Sequence, residues 1–98
     1  MARNQKLTPI IAGRTIKDAS QQDDAIHINF DDGSTMKVKT AAPANSDDLK
    51  NKKVKAVRQA ADVMHLDFDD STSAEIKLAE PTSSVMLRDS KGAMEYAD

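Results

Sequence analysis

The chain repeats itself. Displaced by 38 residues, the segment AIHINFDDGSTMKVKTAAP (25–43) falls on VMHLDFDDSTSAEIKLAEP (63–81) without a gap. Between Ile16 and Ser46, 11 of 31 aligned pairs are identical: Lys17/Lys55, Gln21/Gln59, Asp24/Asp62, His27/His65, Phe30/Phe68, Asp31/Asp69, Asp32/Asp70, Lys39/Lys77, Ala41/Ala79, Pro43/Pro81 and Ser46/Ser84. Unrelated segments of ordinary composition share roughly two such pairs. Ile16/Val54, Ile28/Leu66, Ser34/Thr72 and Val38/Ile76 exchange like for like.

Each unit reads as three strands. The segments 14–19 and 52–58 are β-leaning. The segments 25–30 and 63–68 alternate, with Ile26, Ile28 and Phe30 on one face and Met64, Leu66 and Phe68 on the matching one. The segments 35–40 and 73–78 alternate again, presenting Met36 and Val38, then Ala74, Ile76 and Leu78. Face matching fixes the turn between the second and third strands, because residues directly opposite in an antiparallel pair share a face. A two-residue loop would set Ile28 against Lys37. The three-residue loop Asp31-Asp32-Gly33 sets Phe30 against Ser34, Ile28 against Met36 and Ile26 against Val38. That loop needs a left-handed third residue, which Gly33 supplies. The second copy pairs Met64 with Ile76 but places Ser71 at the left-handed position. The second turn is therefore expected to be the weaker one.

Local preference competes with the repeat at one place. Ser46-Asp47-Asp48 can cap a helix running to about Ala61 through a Lys-, Ala- and Gln-rich stretch. The counterpart at 12–20 contains Gly13 and Thr15 and is a poor helix, so the repeat favours strand in both copies. Beyond the repeat, 85–88 and 93–96 flank Asp89-Ser90-Lys91-Gly92 and read as a hairpin, with Val85 and Leu87 facing Met94 and Tyr96.

These readings add up to an all-β domain over 1–98 of about eight short antiparallel strands. It comprises copy one at 11–46, copy two at 49–84 and a C-terminal hairpin at 85–98, arranged as a small barrel or sandwich with a pseudo-twofold axis. One three-stranded unit has nothing to bury its apolar face against, and two units share a core. The composition calls for that economy: apolar residues are 39% of the chain, many of them Ala, and the aromatic residues are only Phe30, Phe68 and Tyr96.

The pattern Gly-x-x-Ile-x(9)-Ile-x-Ile-x-Phe-x-Asp-Gly-Ser, Gly13 to Ser34, looks like a three-strand unit common in small bacterial proteins, a resemblance that implies no activity. With 14 basic and 16 acidic residues, the net charge of −2 excludes a bulk electrostatic footprint for nucleic acid. The absence of Cys excludes disulfides, Cys-ligated zinc and a thiol nucleophile. No nucleophile elbow, phosphate-binding Gly loop or metalloprotease helix occurs, so a non-enzyme is expected, with no cofactor. No targeting segment and no long apolar run is present, which points to a cytoplasmic protein without a membrane role.

Three groups of residues are candidates for chemistry. His27 and His65 occupy equivalent positions, opposite Lys37 and Glu75, and a twofold axis that brought their rings together would make a paired metal site; solvated strand residues are the simpler reading. The acidic turns Asp31-Asp32-Gly33 and Asp67-x-Asp69-Asp70 suit turn chemistry better than calcium, since the EF-hand spacing is missing. Lys50, Lys52, Lys53, Lys55 and Arg58 concentrate base in one segment. That segment is a candidate interaction patch or a protected edge. No aromatic platform accompanies it, so a protein partner or a second copy is favoured over nucleic acid. The resulting expectation is a small non-catalytic binding or assembly module that self-associates or meets a partner. The alternative is a nucleic-acid accessory protein working through 50–58.

Overall fold

The computed structural model describes residues 7–42, 49–80 and 84–97. Each repeat unit is an antiparallel meander: β1 (Ile16–Gln22), β2 (Ala25–Phe30) and β3 (Thr35–Lys39) in the first, β4 (Val54–Ala60), β5 (Val63–Phe68) and β6 (Ser73–Lys77) in the second. The C-terminal hairpin, β7 (Val85–Arg88) and β8 (Met94–Ala97), adds to the outer edge of β3. The result is a five-stranded sheet β1-β2-β3-β7-β8 and a three-stranded sheet β4-β5-β6. This is the all-β architecture expected, with eight short antiparallel strands.

Face matching set the hairpin registers correctly. Ile26 pairs with Val38, Ile28 with Met36, and Met64 with Ile76. Gly33 is left-handed at φ 90°, and Ser71 adopts the same conformation at φ 72°. The closing bond of the turn runs from the Gly33 N–H to the Phe30 carbonyl at 3.1 Å in copy one, and from Ser71 to Phe68 at 3.3 Å in copy two.

Among the described residues of the two units, residues 38 apart occupy equivalent backbone places. The left-handed residues pair off as Gly13/Asn51, Asp23/Ala61 and Gly33/Ser71. The units meet at two short antiparallel seams, and each seam joins a residue to its own repeat mate: Thr15 to Lys53 and Thr40 to Leu78. The seam bonds are reciprocal. Ile16 N–H donates to the Lys52 carbonyl at 2.7 Å and Val54 N–H to the Arg14 carbonyl at 2.9 Å. Ala41 donates to Lys77 and Ala79 to Lys39, both at 3.0 Å. A twofold rotation between the units requires this pattern, since residues beside the axis must face their own equivalents.

The inward faces of both sheets contribute to one core containing Ile26, Ile28, Phe30, Met36, Met64, Leu66, Phe68 and Ile76, with Val85 and Leu87 from the hairpin. Phe30 and Phe68 are each 2% exposed. A lean composition suffices because one core serves both units.

The structure departs from the sequence reading at three places. The first strand of each unit begins later than 14 and 52, and bulges fall between Ile16 and Asp18 and between Val54 and Ala56. Lys17 and Lys55, an identical pair, are the extra residues, and they shift the inward parity to Ala19 and to Val57 and Gln59. Second, α1 (Leu7–Ile11) is a short helix that alternation alone did not reveal; it buries Leu7 and Ile11 against the core. Third, Met94 does not face inward. A bulge between Leu87 and Arg88 sets Arg88 opposite Met94, which is 51% exposed, and sets Tyr96 opposite Leu87. Across 47–61, where a helix competed, the strand favoured by the repeat is what forms among the described residues. Residues 54–60 are strand, because pairing with β5 buries Val54, Val57 and Gln59, which outweighs a helix preference worth only tenths of a kcal/mol per residue. The Asp47 and Asp48 cap of that helix lies outside the described residues.

Candidate functional site

Part of the basic segment is paired with carboxylates. Lys52 Nζ pairs with Asp70 Oδ2 and also reaches Thr72 Oγ1 at 3.2 Å. Arg58 forms a forked pair with Asp67, Nε to Oδ2 at 2.7 Å and Nη2 to Oδ1 at 2.9 Å. Lys50 Nζ lies 3.6 Å from Asp18 Oδ1. Lys53 and Lys55 are exposed, and among the described residues neither forms an ion pair. Three of the five candidate cations therefore end on carboxylates.

The acidic turns are turn chemistry. Asp32 Oδ1 accepts the Ser34 N–H at 2.9 Å, and Asp70 Oδ1 accepts the Thr72 N–H at 3.0 Å. These bonds lower both carboxyls from their ordinary value. Asp70 falls to about 2, chiefly through its bond from Lys52, and Asp32 falls chiefly through its bond from the Ser34 hydroxyl. Asp67 is lowered mainly by Arg58. No group of three or more metal-ligating side chains occurs among the described residues.

The structure does not bring His27 and His65 together. Each sits on the middle strand of its three-stranded unit on the outward face, flanked by buried Ile26 and Ile28 or by Met64 and Leu66, so the shared core separates the rings. His27 lies opposite Lys37 and Ser20, and His65 lies opposite Glu75 and Arg58, with Nδ1 3.8 Å from Glu75 Oε1.

Alternation did not expose the main departure from symmetry. The edges of β3 and β6 are equivalent, yet the chain supplies one hairpin, and it docks on β3. Arg14 holds it there. Its guanidinium donates to both Glu95 oxygens at 3.2 and 2.9 Å and to the Ser34 hydroxyl at 3.0 Å, and its Nε lies 3.4 Å from Asp32 Oδ2. The bonds to Glu95 raise the Arg14 pKa above its ordinary value. In copy two, Lys52 takes the same place over Phe68 that Arg14 takes over Phe30, both 6.0 Å from the ring centroid. Lysine lacks the fork that grips Glu95.

Gly33 makes the same choice by shape. A Cβ there would come within 2.9 Å of Ser90 Cβ, so the hairpin fits against glycine and not against Ser71. The consequence shows in burial: Ser34 is 1% exposed, whereas its mate Thr72 is exposed.

Among the described residues no strand pairs along the outer edge of β6, and a shallow depression of about 240 Å³ is lined by Lys55, Ala56, Asp67, Phe68, Ser71, Thr72 and Ser73. The sequence did hold a signal for this edge: two equivalent units share a single tail hairpin. Comparison with family models, with curated proteins and with solved structures gives no match. No helix among the described residues is long and apolar enough to cross a membrane.

Proposed function

We propose that the protein is a small non-catalytic binding or assembly module that engages a protein partner or a second copy through exposed strand backbone. One observation carries this reading. β6 ends its sheet, and its repeat mate β3 binds a strand at the corresponding edge. An open edge is a template for a further strand. The nucleic-acid alternative loses ground because Lys50, Lys52 and Arg58 are already paired.

The test is sedimentation across a wide concentration range together with capture from a lysate, for the parent chain and Glu75→Pro. The variant removes an edge donor and leaves the bonds to β5 intact. Association that Glu75→Pro abolishes supports the reading. A monomer at every concentration that captures nothing overturns it.

A further inference from the structure

We propose that the outer edge of β6 receives an extended segment of a partner protein, added antiparallel and carrying a basic residue between two apolar ones. The inference rests on the reading above and names the occupant of the edge.

The backbone defines the site. Phe68 N–H donates to the Thr72 carbonyl and Leu78 N–H to the Asp62 carbonyl, so 72, 74, 76 and 78 bond toward β5. By alternation Ser73, Glu75 and Lys77 bond outward. Among the described residues, none accepts from these three N–H groups. In copy one the equivalent residues Thr35, Lys37 and Lys39 are satisfied by the hairpin: β7 pairs along β3, and Lys39 N–H reaches the Ser84 carbonyl at 2.8 Å.

That interface gives the pattern of the missing strand. Val85 and Leu87 of β7 lie inward against Val38 and Met36, while Met86 lies outward against Lys37. Transposed to copy two, the inward residues meet Ile76 and Ala74, and the outward residue meets Glu75. Ala74 is smaller than Met36 and only partly buried, which leaves room for an apolar side chain opposite it. Glu75 replaces a lysine, and its side chain is 73% exposed, so a cation is the complementary neighbour.

Two other occupants fit less well. In a pairing of β6 with β6 of a second copy, the centred register sets Glu75 against Glu75. Moving toward the seam meets Ala41, whose N–H already occupies the Lys77 carbonyl, and moving away engages only Ser73 and Glu75. A tail hairpin from a second copy would set Ser90 against the Ser71 Cβ, at a position where copy one needs glycine.

The experiment titrates the full chain with a short peptide carrying Ser-Val-Lys-Leu-Arg between glycine–serine flanks, and with the same peptide carrying Glu for Lys. Amide exchange and chemical shifts report the site. The expected result is new protection at Ser73, Glu75 and Lys77, with the Lys peptide binding about two- to five-fold more tightly than the Glu peptide. Glu75→Gln should remove that preference and Glu75→Lys should reverse it. Glu75→Pro should abolish binding while the β5–β6 amides stay protected. Absence of protection at those three amides under saturating peptide, or a preference indifferent to residue 75, overturns the proposal. If the peptide fails while sedimentation or capture shows association lost in Glu75→Pro, the edge is used but by another occupant. If association is also absent, both readings fall.

Discussion

Several identical pairs of the repeat sit where the chain turns or bends. Gln21 and Gln59 each donate a side-chain N–H to the carbonyl of a left-handed turn residue, Asp23 at 3.2 Å and Ala61 at 2.8 Å. Lys17 and Lys55 are the bulge residues, Asp32 and Asp70 hold the hairpin turns, and Lys39 and Lys77 lie at the seam. The most informative residue-scale contrast is Gly33 against Ser71. Ser71→Gly should stabilise the chain by about 0.5–1 kcal/mol, because relief of left-handed strain exceeds the added unfolded-state entropy. Gly33→Ser should cost at least about 1–2 kcal/mol, since the same strain is joined by the close approach of Ser90. Denaturant midpoints of the two variants check both signs.

Acid titration probes the turn carboxylates. The folded-state pKa of Asp70 lies below its ordinary value of 3.8, at about 2, and those of Asp32 and Asp67 are lowered as well. A depressed carboxylate adds stability that is complete above its unfolded value and is lost as pH falls through the folded one. Stability should therefore decline as pH falls from 3.8 toward about 2. Asp70→Asn should flatten that decline when thermal midpoints are followed against pH.

At the scale of elements, α1 closes an edge that the strands leave open. Thr8 Oγ1 donates to the Val57 carbonyl at 3.0 Å and accepts the Val57 N–H at 2.9 Å, so a helix preceding β1 satisfies the edge of β4 in the other unit. Thr8→Val keeps the shape and removes both bonds. It should cost about 1–3 kcal/mol, because buried backbone groups of Val57 lose their partner, and the Val57 amide should exchange faster. Period-two alternation is blind to this helix, since a five-residue segment carries too little helical periodicity to register. The bulges escaped for a related reason. An extra residue that is itself polar leaves the apolar pattern readable on either side while reversing its parity.

At the scale of the molecule, the interlocking of the units is the main energetic fact. α1 reaches from the front of one unit to the other, both seams cross between units, and Phe30 and Phe68 enter one core. Phe30→Ala and Phe68→Ala should each cost about 3–5 kcal/mol. In calorimetry each should move one shared unfolding transition rather than the melting of its own copy alone. Two resolved transitions would show that the units are thermally independent.

The repeat, the alternation and the turn arithmetic were enough to determine eight strands, the registers of the β2–β3 and β5–β6 hairpins and the left-handed position shared by Gly33 and Ser71. All of these depend on neighbours close along the chain and on face parity, which a linear pattern records. Tertiary structure decided the remainder. It brought Asp67 and Asp70 onto Arg58 and Lys52, pairing two cations of the basic segment across strands. It placed His27 and His65 on opposite sides of a core. It also sent the single hairpin to β3, because a guanidinium grips Glu95 where an ammonium cannot and glycine admits Ser90 where a Cβ would collide. That choice left β6, among the described residues, without a strand on its outer edge, through packing between segments far apart in sequence.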